Sequence, residues 1–330
     1  MRRLVVTAAA LLAAPPALAA TYTINISAGL DLQSVATGVT GDTVLRIDPS
    51  TGSVIVQSGA GRRLSSPSAR AQASVNCKAA RADDTDCATK TVAIRLGTIG
   101  ALTGRARALT NFTVAMGTAT LAVPPSGTNP LSFQLAPLGD NSPKTFFIGA
   151  DFPVAGDDSG LPSGNGENSF YAYVVNASGL QLAGDTDKGK VKAFRALAVA
   201  KTADLSFGRI QIPTSGSSKI TLNDSSGART VTGNGFAYPT PAPTRGAFTV
   251  SGEGGQQFSL TIPATLTLTR SGPGTIAVDI TDTAPNAPSL SGGLGAAGAY
   301  SFTIGGSFTI TPTTSTGAYS GVLSVSIDYN

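Results

Sequence analysis

The chain has 330 residues, of which 41% are hydrophobic and 13% are charged, and its formal net charge is +4. The absence of histidine excludes Ser-His-Asp and Cys-His catalytic groups and removes a common zinc ligand. The small net charge and the absence of tryptophan argue against nucleic-acid binding. We therefore expect no catalytic residue, no metal and no cofactor, and we expect that the protein is not an enzyme.

Glycine and proline are abundant, with 39 and 20 residues respectively. Glycine permits tight turns and proline blocks helices, so this composition is typical of short strands joined by turns. The sequence therefore predicts an all-β protein.

The N-terminus has the pattern of a secretory signal peptide. Met1–Arg3 is positively charged, Leu4–Ala14 is apolar, and Ala17–Ala19 fits a small-x-small cleavage site. A membrane anchor is the alternative, but the apolar run is too short to span a bilayer and an adjacent proline pair interrupts it. We expect residues 1–20 to be removed on export to the periplasm, cell surface or medium of a bacterium. No later segment reaches membrane-spanning length, so the mature chain should have no transmembrane segment.

The segment after the signal peptide alternates apolar and polar residues. Tyr22, Ile24 and Ile26 fall on one side of a strand over Thr21–Ser27. This strand could be donated to another molecule, filling alternate pockets there, or it could be the first strand of its own domain. Ala196–Ala200 could do the same between domains of one chain, or it too could be the first strand of its own domain.

Cys77 and Cys87 are the two cysteines of the chain. In an exported protein a disulfide is their expected state. We expect the bond to close a hairpin loop between two strands. A redox or metal role is the alternative, but no further ligand set accompanies the pair.

The two halves of the chain repeat the same patterns in the same order. Phe146–Val154 and Phe302–Ile310 share alternating apolar residues around a pair of small residues. Two further pairs match in order: Ala28–Leu32 with Ala203–Phe207, and Val44–Gly52 with Lys219–Gly227. The repeat predicts two tandem β-sandwich domains, residues 21–188 and 189–330, with a turn-rich boundary at Leu182–Lys190.

The C-terminus predicts one long strand with an apolar side. Tyr319, Leu323, Val325, Ile327 and Tyr329 share one parity. The strand could close a self-sufficient sandwich. Alternatively, it could border a groove that a strand from a chaperone or a neighbouring subunit fills.

The second half resembles the bacterial domain of unknown function 4402 family. The resemblance lies in Asp204–Ile210, Arg229–Gly233, Phe248–Gly254 and the closing Gly317–Gly321 before Tyr329. That family is similar to spore coat U and Csu-type fimbrial subunits, which implies immunoglobulin-like, pilin-like domains. It implies no catalytic residues.

The first half matches this family more weakly. Gln33 stands where the second half has Gly208, and Cys77 stands where it has Gly252. Its membership is inferred through the internal repeat.

Together these patterns predict an exported structural or adhesive cell-surface protein that resembles a fimbrial subunit and assembles through strand addition. Its expected partners are neighbouring copies of itself or a fimbrial subunit, and a periplasmic chaperone. The alternative is a monomeric envelope module that recognises a glycan or surface partner. The polar segments Lys78–Asp86 and Asp157–Glu167 of the first domain would then serve as recognition loops.

Overall fold

The computed structural model describes residues 19–330 and is all-β, as predicted. Most of its strands have eight residues or fewer and alternate buried with exposed residues, and glycine-rich turns connect them. The predicted signal peptide falls almost entirely on residues 1–18, which lie outside the described residues. No helix among the described residues is long and apolar enough to cross a membrane.

The strands form two segments that do not share a sheet within residues 19–330. The first segment contains β1 (Thr21–Ala28), β2 (Leu30–Ala36), β3 (Thr43–Ile47), β4 (Val54–Ser58), β5 (Arg62–Arg63), β6 (Ala71–Lys78), the short helix α1 (Asp86–Thr89), β7 (Val92–Thr103), β8 (Thr110–Met116), β9 (Leu121–Ser126), β10 (Leu131–Leu135), β11 (Lys144–Val154), a 3-10 turn (Asp157–Ser159), β12 (Gly164–Val175) and β13 (Gln181–Phe194).

The second segment begins three residues later. It contains β14 (Ala198–Ala203), β15 (Ile210–Gln211), β16 (Ser218–Leu222), β17 (Arg229–Gly233), β18 (Phe236–Ala237), β19 (Gly246–Glu253), β20 (Phe258–Thr261), β21 (Thr265–Thr269), β22 (Thr275–Asp282), β23 (Ala297–Ile310) and β24 (Ser326–Tyr329).

Two sheets enclose the core of the first segment. One has the order β1-β6-β11-β3-β4, with β8 also paired to β11, and the other has the order β5-β2-β13-β12-β7-β10-β9. The apolar residues of each strand point between the sheets, and Leu32, Phe146, Phe152 and Phe170 are fully buried there. Burial of these large side chains is the main stabilising contribution to the sandwich.

The second segment repeats the first of these sheets. Its order is β14-β19-β23-β16-β17, with β22 also paired to β23, so each strand has a counterpart at the same place in the first segment. The opposite layer is much smaller, because among the described residues it contains only the pairs β15-β18 and β20-β24.

The repetition extends to one turn and the arginine that holds it. Asp48 and Asn223 each accept hydrogen bonds from two backbone N–H groups of their own turn. Arg70 and Arg245 each donate to two carbonyl oxygens of the corresponding turn. The same side-chain contacts thus recur at matching positions of the two segments.

The structure does not place a boundary at residue 188. The expected linker Leu182–Lys190 lies within β13, which pairs with β12 along its length and with β2 in parallel. Lys188 and Lys190 are exposed, while Gly189, Val191 and Ala193 are buried. The change from one set of sheets to the other therefore lies between Phe194 and Ala198.

The predicted disulfide between Cys77 and Cys87 is formed, with the two Cα atoms 5.6 Å apart. Cys77 ends β6 in one sheet, whereas Cys87 lies in α1, which leads to β7 in the other sheet. The expected hairpin is therefore wrong, because the loop crosses between two sheets that face each other.

Candidate functional site

A large apolar groove opens in the second segment. Its volume is about 1150 Å³. We call it the C-groove, and its two walls are residues 205–212 and residues 319–325. Its floor includes apolar side chains of the main sheet and of the β21-β22 pair: Phe248, Leu266, Leu268, Val278, Phe308 and Ile310.

The first segment shows what fills the same space there. Its β13 runs between β2 and β12, antiparallel to β12 and parallel to β2. Residues 205–211 correspond to β2, because one constant residue spacing relates Leu30, Leu32 and the Asp48 turn to their counterparts in the second segment.

Residues 319–328 correspond to β12 by their pairing on the other side. Glu167 lies opposite Thr103 of β7, and Ser320 lies opposite Thr269 of β21. Within residues 19–330, no strand occupies the place between residues 205–211 and 319–328. The C-groove is therefore the space of a strand that the first segment has.

Burial of the walls differs accordingly. Leu30 and Leu32 of β2 have no exposed surface, whereas the corresponding Leu205 and Phe207 are only partly buried. Phe170 of β12 is fully buried, and Leu323 at the corresponding position is partly exposed. The side chains beside the C-groove therefore lack the cover that β13 gives to their counterparts.

The predicted C-terminal strand is shorter than expected. Ser320 forms a bridge with Thr269 and Ser326–Tyr329 pairs with β20, but residues 321–325 form no backbone–backbone hydrogen bond with any described residue. A strand requires a partner, and these residues lie beside the empty place of β13's counterpart. Val322 is 87% exposed in consequence.

The predicted apolar residues of this strand separate into two groups. Tyr319, Leu323 and Val325 line the C-groove, as the groove interpretation requires. Ile327 and Tyr329 do not line it and pack in the apolar cluster beyond its end.

Tyr329 links the end of this wall to the connection between the two segments through hydrogen bonds. Its hydroxyl accepts a hydrogen bond from the Glu253 N–H at 2.7 Å and donates one to the Arg195 carbonyl oxygen at 2.8 Å. The buried Glu253 carboxylate also accepts the Arg195 N–H at 3.2 Å. The groove strand and the connection between the segments are thus held together by one polar cluster.

Stability at high pH should report on this contact. Desolvation on burial raises the pKa of Tyr329 to about 12 from an ordinary value of 10.0. Because the folded state holds this proton more tightly, its contribution is complete below about pH 10 and is lost as the pH rises to about 12. Between about pH 10 and pH 12, we expect the free energy of unfolding of the Tyr329→Phe variant to fall by about 2 kcal/mol less than that of the native chain.

Urea unfolding of both chains between these pH values measures the difference. Tyr22 and Tyr300 also have raised pKa values, but both chains retain them, so their effect cancels in the comparison. Parallel curves for the two chains would contradict the assignment.

The other wall of the C-groove is held by an arginine. Arg229 donates to the carbonyl oxygens of Phe207 and Tyr238, both at 2.6 Å. Gly208 between the wall residues has a positive φ of 70°, and Gln33 at the corresponding position has a φ of 54°. Gly208 and Arg229, which lie in segments that carry the resemblance, thus shape this wall, a role that the sequence alone did not indicate.

Both predicted donor segments lie in their own sheets. Ile24 and Ile26 of β1 are 7% exposed, and β1 pairs with β6. Tyr22 is partly buried beside the same core. Ala196–Ala200 largely forms β14, which pairs with β19. Donation of β1 to another molecule, and of Ala196–Ala200 between domains of one chain, stay predictions.

The two predicted recognition loops do not come together. Lys78–Asp86 lies where β7 begins, and Asp157 lies beyond the other end of that strand, at the joint. The second loop is also shorter than expected, because β12 already begins at Gly164. Asp157 accepts the Ala196 N–H at 3.0 Å, so this loop serves the joint between the segments.

No cluster of three or more candidate metal ligands occurs in the described part of the chain. The C-groove is lined by apolar side chains together with polar ones, among them several serines and threonines and the charged residues Lys201, Asp204 and Arg209. Such a surface suits an apolar polypeptide segment better than a charged small molecule.

Comparison with known proteins gives a family match in the second segment. Residues 197–329 match the model of the family described as a domain of unknown function, DUF4402, which confirms the predicted resemblance of the C-terminal half. The match does not include the first segment. A comparison with curated proteins gives no match.

Among solved structures, a chain of a chaperone–tip adhesin complex of CFA/I fimbriae is similar to this one. The two chains are 10% identical, and the comparison covers 72% of this chain and 84% of that chain. The TM-score is 0.20, which is too low for the similarity to support a common fold.

Proposed function

We propose that the protein is an exported structural or adhesive subunit of a fimbria-like surface assembly, built from two sister domains. In this proposal, a β-strand donated by another polypeptide fills the C-groove and completes the second domain. The observation that carries it is the empty place of β13's counterpart between two apolar walls.

The geometry of the donated strand follows from the first segment. An extended chain there exchanges backbone hydrogen bonds with β12 on one side and β2 on the other. In the C-groove, residues 321–325 have backbone groups free to pair in the same way. Main-chain pairing would supply affinity, and alternate apolar side chains would cover Leu205, Phe207 and Leu323.

Export is supported by the N-terminal pattern and by the disulfide between Cys77 and Cys87, since disulfides persist in oxidising compartments. An exposed apolar groove of this size also calls for a partner during export, because such surfaces associate nonspecifically. A periplasmic chaperone that occupies the C-groove before assembly would meet that need.

The test supplies the strand within the same chain. A segment as long as β13, with isoleucine and threonine alternating, is joined to Asn330 through a flexible glycine-rich linker. Covering the partly exposed walls should stabilise the second domain by about 3 kcal/mol, which raises its Tm by roughly 10 °C. Thermal unfolding followed by circular dichroism measures the shift.

The matched control carries serine in place of every isoleucine of the appended strand. It keeps the length and the linker but cannot fill the C-groove. Equal Tm values for the two fusions would contradict the proposal.

The source of the natural donor is tested with the unmodified chain. Concentration-dependent oligomers that the isoleucine fusion abolishes would identify a second copy as donor, whereas a monomer would indicate a different polypeptide.

A further inference from the structure

The outward side chains of β13 are complementary in charge to those of its two neighbouring strands. Lys188 forms a salt bridge with Glu167 of β12. Lys190 lies opposite Glu167 on one side and opposite Asp31 of β2 on the other. Lys192 lies opposite Ser34. The strand that fills the first segment is therefore basic, and its two neighbours supply the acids.

The corresponding positions around the C-groove have lost these acids. Ser206 stands where β2 has Asp31, and Ser320 stands where β12 has Glu167. A lysine-rich strand would find no carboxylate at either position. The rim is therefore neutral at these two positions, and the Asp204 carboxylate that also lines the C-groove is paired with Lys201.

The same rim gains a cation. Arg209 stands where the first segment has Ser34, and it is exposed and lines the C-groove. Its guanidinium lies 4.7 Å from the centre of the Tyr238 ring, and it forms no salt bridge with any described residue. A strand in the place of β13 would bring one outward side chain, the counterpart of Lys192, opposite Arg209.

Building on the proposed function, we propose that the strand donated to the C-groove carries an acidic side chain opposite Arg209. The apolar face of the donor provides binding, and the acid opposite Arg209 distinguishes one donor from another. Charges at the rim of an interface contribute more to partner choice and association rate than to total affinity.

This rim does not match the outward face of β13 or of β1, the candidate donor strand of the chain. The outward residues of β13 include three lysines, which Arg209 would repel. The outward residues of β1 are Thr21, Thr23, Asn25 and Ser27, which carry no charge. The preferred donor is therefore a strand of a different polypeptide, a subunit with an alternating apolar segment and a carboxylate at one outward position.

Three synthetic peptides as long as β13 test the inference on the full chain. They share the isoleucine–threonine alternation and differ only opposite Arg209, where they carry glutamate, glutamine or lysine. At low salt we expect the glutamate peptide to bind about five-fold more tightly than the lysine peptide, with the glutamine peptide between them. Fluorescence anisotropy of labelled peptides measures each Kd.

Two variants of the chain complete the experiment. R209E should reverse the order of the peptides, whereas K219E, which changes an exposed cation of β16 outside the C-groove, should preserve it. Equal Kd values for the three peptides, or tighter binding of the lysine peptide to the native chain, would overturn the acid preference and leave strand donation standing. Failure of all three peptides to bind would overturn the proposed function itself.

Discussion

Replacing Gly305 with alanine is expected to destabilise the second segment by about 3 kcal/mol, the upper range for inserting an atom into a packed site. A Cβ atom at this position would lie closer than 3.0 Å to the Leu222 carbonyl oxygen and to the Asp224 backbone nitrogen. Both are backbone atoms on the neighbouring strand and turn, so β16 would have to move away from β23. Urea unfolding measures the loss.

The chain provides a matched control and an internal repeat of this experiment. An added Cβ at Gly293 would meet no atom within 4 Å, so G293A should change stability by less than about 1 kcal/mol. Gly149 stands at the corresponding place in the first segment, where the added atom would meet the Ile47 carbonyl oxygen. G149A should therefore destabilise the first segment similarly. A G305A chain as stable as G293A would contradict the close approach.

Asp157→Asn should cost about 3 kcal/mol, because it leaves a buried positive charge without its counter-ion. Arg105 has no exposed surface, and its guanidinium donates to Asp157 and to the Thr37 hydroxyl. Asparagine has the size of aspartate but not its charge. Equilibrium unfolding in urea measures the loss.

Two further variants separate the charge from the packing. Asp158→Asn changes the adjacent carboxylate, which accepts only the N–H of Gly41, and should cost less than about 1 kcal/mol. Adding Arg105→Met to Asp157→Asn removes the buried charge and should recover part of the lost stability. If the double variant is no more stable than D157N alone, the effect does not arise from the unpaired guanidinium.

The sequence predicted most of the main sheets because their strands alternate apolar and polar residues. It did not predict β13, since the inward positions of that strand include Asp185, Asp187 and Gly189 rather than apolar residues. Asp185 is satisfied by a contact distant in sequence, the hydrogen bond from the Ile26 N–H at 2.8 Å. When only the local pattern is considered, a segment of this composition predicts a loop.

One wall of the C-groove was predictable and the other was not. Tyr319, Leu323 and Val325 keep strict alternation, and the sequence assigned them to one face. On the opposite wall, the positive φ of Gly208 interrupts the alternation. The apolar residues Phe207 and Ile210 therefore have opposite parity in the sequence. Residues 321–325 form no strand pairs because a neighbouring strand is missing there. A local sequence pattern does not show whether such a neighbour is present.

The short connection between the segments has a mechanical consequence. Only residues 195–197 separate β13 from β14, and the Tyr329 hydroxyl donates a hydrogen bond to the first of them. A pull on the second segment would reach the first through the C-terminal end of β13. When that pull runs parallel to the strand, the hydrogen bonds of β13 to β12 and β2 are loaded in shear together, instead of opening one after another.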